Sequence, residues 1–196
     1  MNRAIMVNHL DSQGLPKEKV LRFAFLNSYF KTDQKYPLDD AILAYVYTNG
    51  YRFQPSKWSK IDEIPFDFIR RRVSVILETE SYAEDRNHQF LKRFMVTKGA
   101  LEEVMKVCSF IEHVDSGEIS TLSSEDYQRI LSIAEEVSNE GLRTIGVAIK
   151  RLKLVRQDLS LSLLCSKIFN SIQQSLKNLI ASACFIYSKH SFSFIA

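Results

Sequence analysis

The most informative stretch of the sequence is Ile64-Pro65-Phe66-Asp67-Phe68-Ile69-Arg70-Arg71-Arg72-Val73-Ser74-Val75. This run sets aromatic rings and three consecutive arginines directly ahead of a period-two pattern. From Arg71 to Glu80, Val73, Val75 and Leu77 fall on one face and Ser74, Ile76 and Glu78 on the other, as in a β-strand. An aromatic ring offers a flat face to a base, and a nearby guanidinium can fork onto phosphate oxygens. Further along, Lys98-Gly99-Ala100 adds a polar group at an expected sharp turn. Together these residues point to a nucleotide site.

Upstream, Arg3–His9 reads as a short edge strand. Lys17–Phe30 places Val20, Leu21, Phe23, Ala24 and Leu26 at helical spacing, and Asp39–Tyr47 repeats the pattern up to an Asn49-Gly50 stop. Trp58–Pro65 is expected to be extended. A polar loop around residues 83–87 leads to a further strand over Gln89–Thr97. Lys98-Gly99-Ala100 is expected to open a helix running through Cys108. A hairpin follows, with Phe110–Val114 and Glu118–Leu122 as its arms and Asp115-Ser116-Gly117 as its turn. Ser123-Ser124-Glu125-Asp126 carries N-capping chemistry for a helix to about Asn139, which Gly141 ends before an apolar strand over Leu142–Ile149. The expected fold class is α+β: an antiparallel sheet of about six strands flanked by helices. Residues 1–153 form that domain. Residues 154–196 are expected to be an atypical tail, rich in serine and helical over Leu159–Leu179 or poorly ordered.

The composition suits one ordinary globular domain, with 45% apolar and 25% charged residues in 196. The formal charge of +3 belongs to residues 154–196, where Arg156, Lys167, Lys177 and Lys189 face Asp158 alone; the first 153 residues are neutral. A neutral body argues against nucleic acid as a partner. Cys108, Cys165 and Cys184 are too scattered for a disulfide framework or a zinc knuckle, and the four histidines are far apart, so no metal site is expected. No run approaches the roughly 18–20 apolar residues that span a bilayer, so no membrane contact is expected of this segment. Walker A, Gly-x-Ser-x-Gly and dinucleotide-loop patterns are absent, and no catalytic residue is assigned.

Six collinear segments carry a resemblance. They are Asn8–Asp11, Pro37–Leu43, Lys60–Phe68, Arg70–Val75, Lys98–Val104 and Gly141–Ala148. In that order and spacing the chain resembles the nucleotide-binding domain of P-type cation ATPases, most closely the bacterial magnesium-transporting branch. The resemblance implies ATP as ligand, with Mg²⁺ in the complete pump, and the parent pump's phosphorylation domain as partner. It also implies a cytoplasmic position beside a cell-membrane pump. The Asp-Lys-Thr-Gly-Thr phosphorylation motif of the family is not in the sequence. The expectation is therefore a piece of a pump that presents ATP and does not turn over alone.

By the same resemblance, Phe66 stacks the adenine, Lys98 and Gly99 line its pocket, Asp39 contacts its amino group, and Arg71 and Arg143 hold phosphates. The residues alone leave other readings open. Phe66 would also serve as a core phenylalanine, and Asp39 as a first-turn acid favoured by the helix dipole. At least one of Arg70–Arg72 would fit a solvated strand end, and Phe68 reads as packed against the sheet. A lysine at a helix start opposes the dipole, which is the residue-level hint of function for Lys98. Arg143, in an apolar run, calls for a phosphate or a carboxylate partner. One stacking contact and a few exposed charged hydrogen bonds imply a Kd of roughly 0.1–10 mM. The rival readings are a non-catalytic remnant of a truncated or frame-shifted gene, and an interaction module that kept the fold without the ligand.

Overall fold

The computed structural model describes residues 4–82, 89–113, 117–152, 179–181 and 185–188. Strand β1 (Met6–Leu10) leads through a turn into α1 (Glu18–Phe30), and α2 (Pro37–Thr48) follows. Then come β2 (Trp58–Asp67), β3 (Arg72–Tyr82), β4 (Gln89–Ala100), the single turn α3 (Leu101–Met105), β5 (Cys108–Glu112) and β6 (Ile119–Thr121). The series ends with α4 (Ser124–Asn139), β7 (Ile145–Leu152), β8 (Leu179–Ala181) and β9 (Phe185–Ser188). Among the described residues the main sheet has the order β2-β3-β4-β7-β8-β5-β6, and β1 pairs with β9 in a separate ribbon. The fold is α+β with an antiparallel sheet, as expected, apart from one parallel pairing between β5 and β8.

The middle of the sheet is buried on both faces, so residues 73–77 are buried without interruption although they alternate in direction. On one face Val75, Leu77, Val96, Val147 and Ile149 meet Leu21, Phe25 and Leu26 of α1 and Ile42 of α2. On the other, Ile76, Met95 and Ala148 meet Val104 of α3. Ser74 and Thr97, polar residues within this layer, satisfy each other through hydroxyls 2.7 Å apart. Asn27 of α1 donates from Nδ2 to the Val96 carbonyl at 2.8 Å, tying that helix to β4. A third cluster seats α4 through Ile130 against Leu101, Met105 and Ile111. Ser123 caps α4 by accepting from the Asp126 N–H at 3.1 Å, and Gly141 closes it at φ 77°.

Four expectations are corrected. Lys98-Gly99-Ala100 does not open a helix. It is the end of β4, with Lys98 paired between Val73 and Val147 and Gly99 between Arg72 and Gly146. The helix after it stops at Met105, and Cys108 starts β5. Phe68 is not packed against the sheet: it lies in the β2–β3 turn at 75% exposure, beside Ile69 at 92%. Leu179, the end of the expected tail helix, instead begins β8. Residues 159–178 of that helix, the 83–87 loop and residues 115–116 of the hairpin turn lie outside the described residues.

Gly99 is required by the neighbouring strand. A Cβ there would sit 2.6 Å from Arg72 Cα and closer still to the Arg71 carbonyl, and neither backbone atom can yield. Gly99→Ala is therefore expected to destabilise the domain by about 1–3 kcal/mol, the range for overpacking a filled interior. Urea unfolding of the two proteins measures this, and an unchanged midpoint would contradict it.

Candidate functional site

Of the residues singled out from the sequence, Asp39 and Lys98 meet in a buried ion pair, while Arg71, Gly99 and Arg143 lie at the same end of the sheet. Asp39 lies in the first turn of α2, where its Oδ2 accepts from the Tyr36 N–H at 3.0 Å and so caps the helix behind Pro37. The same carboxylate faces two ammonium groups. Lys98, from the end of β4, pairs with Oδ1, and Lys31, just past α1, reaches Oδ2 at 3.2 Å. Lys98 also donates to Ser28 Oγ of α1 at 2.5 Å. Asp39 is 2% exposed and each lysine 3%. Burial pushes the Asp39 carboxyl upward, but the Lys98 charge and hydrogen bond, the Tyr36 N–H and the Lys31 charge outweigh it and hold the group at about 2.

The aromatic side of the site joins this centre through Tyr36. The Lys31 ammonium lies 4.1 Å from the Tyr36 ring centroid, over its face. Tyr36 in turn meets Phe66 edge-on, with centroids 5.7 Å apart and planes at 64°. On its other side Phe66 meets Phe68 at 5.5 Å and 85°. Phe66 is half-buried, so its ring is braced by its neighbours without being enclosed by them.

The three arginines have three different fates. Arg70 pairs with Asp67 and donates from Nη2 to the Pro65 carbonyl at 2.8 Å, closing the β2–β3 turn. Arg71 is exposed and sits at φ 49°, a left-handed backbone position uncommon for a residue with a side chain. Arg72 is buried on the α3 side, donating from Nη1 to the Glu103 carbonyl at 3.3 Å. Arg143 is exposed just ahead of β7, at the same end of the sheet as Gly99 and Ala100. Gly99 belongs to this end through strand packing: the backbone it admits is that of Arg71 and Arg72.

Phe66, Asp39 and Lys98 are thus linked through two residues absent from the sequence reading, Tyr36 and Lys31. Tyr36 was open to detection as the residue before Pro37 at a helix start. Lys31 had no comparable signal, because its carboxylate partner lies across the connection between two helices. A cleft of about 880 Å³ lies elsewhere, between β1 and α2, lined by Met6, Ala41 and Tyr45 among others, and none of the predicted residues borders it.

With this fold and this arrangement of residues, the chain belongs to the P-type ATPase family: residues 30–186 match the family model for the P-type ATPase cytoplasmic domain N. It is 40% identical over 152 residues to the magnesium-transporting ATPase, P-type 1, of Salmonella typhimurium strain LT2, an alignment covering 77% of this chain and 16% of that protein. The protein of the same name from Escherichia coli K12 is 40% identical over 151 residues, with the same coverage. The calcium-transporting ATPase of Bacillus subtilis is 30% identical over 148 residues, 70% of this chain and 15% of that protein. The chain therefore spans about a sixth of the length of these relatives. Among the described residues, no helix is long and apolar enough to cross a membrane.

Because folding lowers the Asp39 pKa from 3.8 to about 2, its stabilisation is complete above pH 4 and is lost as pH falls through about 2. This loss amounts to about 2 kcal/mol. Asp39→Asn leaves two buried ammonium groups facing a neutral amide and is expected to cost about 3–5 kcal/mol at pH 7. Denaturant unfolding of both proteins from pH 7 to 2 reads the two effects; the variant should lack the wild type's steepest acid loss.

Proposed function

We propose that this chain is the ATP-binding domain of a magnesium-transporting P-type ATPase, lying on the cytoplasmic side of a pump in the cell membrane. In the complete pump it presents ATP, accompanied by Mg²⁺, to the phosphorylation domain. The observation that carries this reading is the half-buried Phe66 ring, braced edge-on by Tyr36 and Phe68 beside the buried Lys31–Asp39–Lys98 charges. The names of the 40%-identical relatives support the choice of pump.

In this reading Phe66 stacks the adenine, a contact worth roughly 1–3 kcal/mol. Lys98 and the backbone at Gly99 form the inner wall. A carboxylate offers about four acceptor sites. Lys98, Lys31 and the Tyr36 N–H use three of those on Asp39. Because the carboxylate is buried, the adenine amino group takes the fourth only when the side chains covering it move aside on binding. Exposed Arg71 and Arg143 take the phosphates as charge-assisted hydrogen bonds. With no glycine-rich cradle, most of the affinity rests on the base, and binding by this chain alone is weak, with a Kd of roughly 0.1–10 mM.

An ATP titration followed by amide NMR shifts tests the proposal. Shifts are expected to cluster around Phe66, Lys98 and Arg143, and Phe66→Ala should abolish them while leaving the rest of the spectrum folded. An absence of clustered shifts at 10-fold the upper Kd, roughly 100 mM ATP at constant ionic strength, would sink it.

A further inference from the structure

The segment between α1 and α2 carries Lys31 and Tyr36 into the site but has no helix or strand of its own. Asp39 holds its two ends, and between them it is anchored to the neighbouring strand by Glu63 and Lys60. The Glu63 carboxylate of β2 accepts from the Thr32 N–H and the Thr32 hydroxyl, each at 2.9 Å, and from the Asp33 N–H at 3.4 Å. Lys60 pairs with the same carboxylate and donates to Thr32 Oγ1 at 2.7 Å. Although Thr32 and Asp33 are exposed, the Glu63 side chain is only 8% exposed. The desolvation of that carboxylate is offset by these hydrogen bonds, which together hold its pKa below the usual range.

The position of this anchor in the chain matters. Glu63 precedes Phe66 by three residues on the same strand, and the segment it grips ends in the Tyr36 ring that touches Phe66. The strand that carries the stacking ring therefore also holds the segment that braces it. Within that segment Lys31 and Tyr36 are joined across its ends by the ammonium–ring contact, so a shift at Thr32 moves both. Among the described residues β2 is also an edge strand of the main sheet, so a change at Glu63 leaves the core pairing intact.

We infer that Glu63 is a positioning residue for the nucleotide site, acting through Tyr36 by clamping residues 31–36 against β2. The inference rests on the reading that the nucleotide stacks on Phe66. The test is a double-mutant cycle on the whole chain, with the ATP Kd from NMR titration and the thermal midpoint measured for each variant. Glu63→Ala is expected to weaken ATP binding about three- to tenfold, a size usual for coupled neighbours. Glu63→Gln, which keeps a carbonyl acceptor, should recover part of the loss. In a Tyr36→Ala background the effect of Glu63→Ala should shrink to within about twofold, because the element being positioned is gone. An undiminished effect in that background, or a lowered thermal midpoint with an unchanged Kd, would overturn the inference. Phe66→Ala, measured alongside, separates the two levels. If it removes binding while Glu63→Ala does not change the Kd, only the clamp is wrong. If it too leaves the Kd unchanged, the nucleotide reading fails with it.

Discussion

The ion cluster on Asp39 is the interaction that the end of the domain carrying the proposed site depends on. One carboxylate caps α2, meets a lysine just beyond α1 and pairs with a lysine from β4, 59 residues away in sequence, so two helices and a strand converge on two oxygen atoms. Desolvating three charged groups is costly, and the arrangement holds because each is met by an opposite charge or a hydrogen bond. A carboxylate in water would tolerate loose geometry. This one, closed off from solvent, specifies how the two helices sit over the sheet.

That geometry decides what the aromatic residues can do. Phe66 lies on an edge strand with one neighbour from the helix layer and another from its own turn, an arrangement that holds a ring in place while leaving it partly open. The sheet interior behaves in the opposite way. Its central strands are covered on both faces, and even its polar pair, Ser74 with Thr97, is closed on itself. Rigidity in the middle and partial exposure at one end are what a small-ligand site requires of its scaffold.

Much of the architecture was legible because the signals were local. The spacing of Val20, Leu21 and Ala24 marked α1, alternation marked β3, and Ser123 with Asp126 marked the start of α4. The failures were at places where the chain alone is ambiguous. Lys98-Gly99-Ala100 has the composition of a turn, and only the ladders on both sides make it strand. Phe68 and Phe66 are indistinguishable by hydrophobicity, yet a hairpin turn projects one into solvent and half-buries the other. Strands β8 and β9 lie in a serine-rich stretch whose pairing is supplied by β5, β7 and β1.

Fold class, family and most of the residue types at the proposed site follow from the order of amino acids, because periodicity, capping and collinear motifs are properties of neighbours along the chain. It takes the folded arrangement to make partners of Asp39 and Lys98, to connect them to Phe66 through Lys31 and Tyr36, and to show that Gly99 makes room for backbone. These facts depend on which surfaces meet when helices close over a sheet. Charge pairing across such a junction is settled by distance in space, which the spacing of residues in a linear chain does not record.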